Sequence, residues 1–124
     1  MHIRLLAVGD RQPQWVDDAF GRYTTRYPRE WKFRLDTIAT ARRGRNDKTR
    51  QASIKESEQI LGKLTRAEQV VLLDEQGTAL DSPSLTKRLA DWQRDSRNLS
   101  FIIGGPDGVS DACRERADFV WSLS

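Results

Sequence analysis

The chain has little of what most catalysis runs on. It holds one histidine, His2, and one cysteine, Cys113, in 124 residues. A lone cysteine excludes an internal disulfide and fits a reducing compartment. One His and one Cys cannot assemble a zinc site. A Ser-His-Asp or Cys-His arrangement has no suitable centre when the histidine is the second residue. There is no run of 18 or more apolar residues, so no membrane-spanning helix is expected. The opening "MHIRLLAVGD" lacks the apolar h-region and small-residue cleavage site of a signal peptide. The expected location is therefore the cytoplasm, with no membrane and no metal among the partners. Neither G-x-G-x-x-G nor G-x-x-x-x-G-K-[ST] occurs, so the usual dinucleotide and P-loop assignments fail on spacing.

What is present is charge, unevenly spread. The net charge is +3, but residues 1–50 carry 12 Lys/Arg against 6 Asp/Glu, while residues 51–124 carry 9 against 12. The sharpest cluster is "ARRGRNDKTR" at 41–50, with Asp47 the sole acid. Arginines beside a glycine suit a loop that adapts to phosphates. Arg42, Arg43, Arg45, Lys48 and Arg50 are thus candidate nucleic-acid contacts. The alternative is a solvated loop kept soluble by its charge.

Apolar periodicity predicts nine elements. "IRLLAV" (3–8), "KFRLDTIA" (32–39), "QVVLLD" (69–74), "NLSFII" (98–103) and "DFVWSLS" (118–124) read as short strands. A helix opening near Pro13 carries Val16, Phe20, Tyr23 and Tyr27 at helical spacing and ends at Pro28. A second, capped by Asn46 or Asp47, runs to about residue 64 with Ile54, Leu61 and Leu64 facing inward. Ser82-Pro83 starts a third, with Leu85, Leu89 and Trp92 as its inner stripe. Ser110-Asp111 starts a short fourth. Alternating strands and helices in one domain, 1–124, imply an α/β fold with a mainly parallel sheet covered on both faces. Ligands of such sheets bind beyond the C-terminal strand ends. Two ends stand out, Leu73-Asp74-Glu75-Gln76-Gly77 and Ile103-Gly104-Gly105-Pro106.

The second end belongs to "FIIGGPDGVS" (101–110), a buried strand running into a corner almost without side chains. Asp107 and the lack of a lysine disfavour a polyphosphate. Bare backbone with apolar walls from Leu73 and Ile103 better suits an adenosine-like group, although a tight turn and nothing more is the competing explanation. Asp74 and Glu75 are adjacent, so on a strand they point apart and make a poor acid–base pair. Asp74 is expected to cap its turn, Cys113 to pack inward, and the four tryptophans to serve core or interface.

Four segments in one register, "AVGDRQPQWVDDAFGRYTTRYP", "LLDEQG", "FIIGGPDGVS" and the closing "WSLS", resemble the bacterial large-subunit ribosomal RNA pseudouridine N3-methyltransferases of the SPOUT (α/β-knot) class. The resemblance covers the whole chain. It implies a Rossmann-like SPOUT fold with a trefoil knot, a homodimer and S-adenosylmethionine as methyl donor. It also implies methyl transfer to N3 of a pseudouridine in 23S rRNA of the assembled ribosome. By motif, Leu73 and Gly105 would line the cofactor site, Gly104 and Pro106 would shape its loop, and Ser124 would open a third cofactor loop. No catalytic residue is assigned, since an activated donor mainly requires alignment. Family members continue about thirty residues further, a loop and a long helix by ordinary element lengths. On that ground the chain as given is expected to lack the knotting segment and much of the dimer contact, to be unknotted, and to bind the donor weakly. Two other readings follow. One is a non-catalytic remnant or folding model of the enzyme that keeps some RNA affinity. The other is an unrelated flavodoxin-like module, disfavoured because Gly9-Asp10-Arg11-Gln12-Pro13 makes too short a phosphate loop.

Overall fold

The computed structural model describes residues 2–9, 32–41, 49–79, 82–95, 98–104 and 108–122. In chain order they form β1 (His2–Val8), β2 (Lys32–Ile38), α1 (Thr49–Gly62), β3 (Gln69–Ala79), α2 (Ser82–Arg94), β4 (Leu99–Ile103), α3 (Asp111–Arg116) and β5 (Phe119–Ser122). The helix expected from Pro13 to Tyr27 and the expected cap at Asn46 or Asp47 lie outside the described residues. The five strands make one sheet in the order β2-β1-β4-β3-β5, and every pairing is parallel. The α/β architecture expected from the alternating pattern is what the chain adopts.

The core has two layers because residues alternate across each strand. Leu6, Val8, Val70, Leu72 and Ile102 face one way and pack with Ile60 of α1 and Cys113 of α3. Ile3, Val71, Leu99 and Trp121 face the other way and pack with Leu89 and Trp92 of α2. Consecutive helices thus fall on opposite faces whenever the chain reverses its direction across the sheet. Right-handed crossovers demand this.

Three expectations need correction. β3 was expected to end at Asp74 but runs to Ala79. Its register against β5 breaks, so that Leu73 and Thr78 both pair with Trp121 and residues 74–77 bulge out. Gly77 permits the return: a Cβ there would lie 2.8 Å from the backbone of Val120 and Trp121. In β2, "KFRLDTIA" alternates Leu35 and Thr37 with polar neighbours, yet these two do not form a buried face. Leu35 is 45% exposed and Ile38 is buried, on the edge strand of the described sheet. In α1, Ile54 is exposed and the buried stripe is Ala52, Ser53, Glu56, Ser57 and Ile60. Polar groups occupy it because they bond to loop backbone rather than to apolar side chains.

Candidate functional site

Leu73 pairs with Ile103 in the parallel β3–β4 ladder, so the two suspected strand ends finish at the same level on adjacent strands. Neighbouring strands lie about 4.8 Å apart, which brings their loops side by side. β4 receives the chain from α2 on one face and passes it to α3 on the other. Such a change of face is where open α/β sheets form a crevice. Leu73 is half-buried against the cluster containing Trp121, and Ile103 and Gly104 are half-buried beside it.

Gly104 is bare because the turn is tight, the competing explanation offered by the sequence. A Cβ there would stand 2.9 Å from Val109 Cγ1 and 3.0 Å from the Gly108 carbonyl carbon, so the loop closes on its own main chain. Gly108 has φ +76°, a region L side chains rarely adopt. The returning limb is then fastened to α1. Ser53 Oγ donates to the Gly108 carbonyl at 3.1 Å, and the Ser110 amide donates to Ser57 Oγ at 2.8 Å. Ser110 also caps α3 as expected, its Oγ accepting from the Cys113 amide at 3.3 Å. On the same stripe, buried Glu56 accepts from the Ala41 amide at 2.8 Å, next to the basic segment. One helix face therefore holds both the glycine corner and the start of the basic segment.

Of the residues singled out in the sequence, Leu73 and Gly104 are brought together. Gly105, Pro106, Ser124, Arg42, Arg43, Arg45 and Lys48 lie outside the described residues. Arg50 is exposed in the first turn of α1. Asp74, expected to cap its turn, forms an ion pair with Arg114 of α3. Trp121 is buried as expected, and its indole Nε1–H has no acceptor among the described residues. Cys113 is buried too, and loss of solvent pushes its thiol up to about 11 against the opposing pull of Arg114, so it is no nucleophile at neutral pH.

The whole chain, residues 1–124, matches the family model described as "Predicted SPOUT methyltransferase". The chain belongs to the SPOUT methyltransferase family. Three relatives are each named ribosomal RNA large subunit methyltransferase H. Those of Thioalkalivibrio sulfidiphilus, Hahella chejuensis and Coxiella burnetii are 41%, 38% and 35% identical, each over all of this chain and 80% of their own length. By family, then, the chain is a methyltransferase built on the SPOUT α/β fold.

SPOUT enzymes generally use an adenosyl donor, and the two strand ends are where an open α/β sheet would receive one. The described residues at those two ends, Leu73 and Ile103, are apolar and half-buried. A buried indole N–H without a partner is costly, by about 1–3 kcal/mol, and is the kind of donor a polar ligand satisfies. Among the described residues no group of His, Cys, Asp or Glu is placed to hold a metal, and no helix is long and apolar enough to cross a membrane. The sequence reading missed Ser53, Glu56 and Ser57. Their spacing with Ile60 was a usable signal, since 53, 56, 57 and 60 fall on one helical stripe.

Proposed function

We propose that this chain methylates ribosomal RNA with S-adenosylmethionine, acting on N3 of a pseudouridine in 23S rRNA of the assembled ribosome, as a cytoplasmic homodimer. Residues 1–124 act as one catalytic domain. The observation that carries this is the in-register meeting of Leu73 and Ile103-Gly104 at the change of face, in a chain of the SPOUT family. Support for the RNA substrate comes from the names of the relatives and the basic 41–50 segment.

S-adenosylmethionine, when bound, supplies a methyl group already activated on sulfonium. Leu73 would wall the adenosyl group, with Gly105, Pro106 and Ser124 completing the site and Gly104 shaping the loop. The serines of α1 fasten Gly108 and Ser110, just after the glycine corner, before any ligand arrives, which reduces the ordering that binding requires. The pseudouridine N3–H must lose its proton around the time of attack. Cations of the 41–50 segment, Arg42, Arg43, Arg45, Lys48 and Arg50, would favour the resulting anion. Asp74, committed to Arg114, is not offered as a base.

Calorimetric titration with S-adenosylmethionine, followed by transfer of a labelled methyl group to whole ribosomes, tests the proposal. Saturable donor binding lost in Leu73→Asp, with label mapped to one pseudouridine, is the expected result. No donor binding by the native chain would overturn it, and RNA affinity surviving alone would favour the non-catalytic reading.

A further inference from the structure

The sheet's opposite end carries a second feature. There the N-terminal ends of β1, β2 and β4 and the turn after α1 line a cleft of about 570 Å³. Four permanent cations line it, Arg4, Lys32, Arg34 and Lys63, with one carboxylate, Glu68, in the lining and a second, Asp36, paired to Arg4 and Arg34 from beside it.

These cations divide into two kinds. Arg4 is structural: its side chain reaches Ser100 Oγ at 3.3 Å, the Lys63 carbonyl at 2.8 Å and Glu68 Oε1 at 3.3 Å. Glu68 is consumed in that network, bonded also to the Ser100 hydroxyl and to the Thr65 amide at 2.7 Å. Arg34 is held by Asp36 through Nε at 3.1 Å and Nη2 at 2.8 Å, yet stays 66% exposed. Lys32 and Lys63 are exposed and form no ion pair with any described residue. The floor of the cleft is thus neutralised, while its rim keeps two lysines and, beside them, the exposed Arg34 oriented by Asp36.

We infer that this cleft is a second RNA-backbone contact, with Lys32, Lys63 and Arg34 receiving phosphates. The inference rests on the proposed RNA substrate and names a surface that reading does not use. The basic 41–50 segment follows β2, and so begins at the same sheet end as the glycine corner. The cleft lies a strand's length away, about 16–23 Å for five to seven residues. An RNA stem-loop spans that distance, so one structured RNA can reach both. Two contacts this far apart fix the RNA's orientation, which a single basic loop cannot do. A free nucleotide or phosphate would fit the same chemistry but would not need a rim this open.

The test is titration of a labelled RNA stem-loop over a series of salt concentrations with the full chain and Lys32→Ala/Lys63→Ala. The double variant should bind about ten-fold more weakly near 0.1 M salt, with the salt slope shallower by about 1.5, as for two lost phosphate contacts. Lys87→Ala/Arg94→Ala, two exposed cations on α2, should match the native chain. Unchanged RNA affinity in the first variant, or equal loss in the second, overturns the inference. So does loss of inorganic phosphate or nucleotide binding with RNA binding intact, which would make the cleft a small-anion site. A native chain that binds no RNA overturns it too, while the S-adenosylmethionine titration still judges the methyl-transfer proposal on its own.

Discussion

Glu68 is a carboxylate held at 6% exposure, and it survives there because its oxygens are filled. Burial works to raise its pKa, but the bonds from Ser100 and Thr65 and the charge of Arg4 outweigh that and leave it below the ordinary value. A depressed carboxyl stabilises the fold above its unfolded pKa, and the contribution fades as pH falls through the folded value. Glu68→Gln should therefore lower stability at pH 7 by about 1–3 kcal/mol. In urea unfolding the gap between native and variant should shrink toward pH 3; a gap that stays constant would exclude the charge as its cause. Cys113 shows the opposite sign. Its thiol is protonated in the fold up to about 11, whereas an unfolded thiol ionises near 8.5. Stability should be complete below the unfolded value and decline as pH rises from there to about 11, and Cys113→Ala should remove that decline in melts across the range. At neutral pH a thiol reagent should label Cys113 only when denaturant is added. Its inward packing was legible in the sequence, an isolated cysteine in a short amphipathic segment. The Glu68 network was not, because Arg4, Glu68 and Ser100 are separated in sequence and meet only once β1, β3 and β4 are in register.

Among the elements, α1 shows most plainly what periodicity misses. Counting apolar residues put Ile54, Leu61 and Leu64 inward; Leu61 and Leu64 do pack against the core, but Ile54 is exposed and Ser53, Glu56 and Ser57 are buried beside Ala52 and Ile60. Polar side chains on a buried stripe need backbone partners, and these come from loops whose positions the sequence does not disclose. β3 was misjudged at its far end for a similar reason. Nothing local in "DEQG" announces that Thr78 will resume pairing with Trp121. The starts of the strands were placed within a residue, since continuous apolar runs such as "QVVLL" have few other uses. At this scale the expected outcome concerns the serine clasp. Ser53→Ala/Ser57→Ala removes a donor to the Gly108 carbonyl and the acceptor of the Ser110 amide. Each loss should cost about 1 kcal/mol of stability. If the clasp orders the donor loop, affinity for S-adenosylmethionine should drop by more than the fraction of unfolded chain accounts for. Calorimetry on the folded variant separates the two.

For the molecule as a whole, the strand order makes β4 the middle of the described sheet. β1 pairs with β2 and β3 with β5, and only β4 joins these two ribbons. Ile102, fully buried at that junction, should behave as a residue of the entire fold. Ile102→Ala is expected to cost about 2–5 kcal/mol and to leave a single cooperative transition. In native-state hydrogen exchange, the amides of β4 should open only with global unfolding, while those of edge strand β2 open earlier. Two separable transitions would show that the ribbons hold together without their bridge.

The junction strand is also fourth of the five described strands in order of synthesis. On a translating ribosome, β3 emerges with no neighbour to pair with until β4 or β5 follows it, leaving the apolar "QVVLL" segment exposed on both sides. The nascent chain therefore passes through a long interval as a β1–β2 ribbon beside a sticky, unpaired strand. That interval is the one in which a chaperone gains the most by holding it.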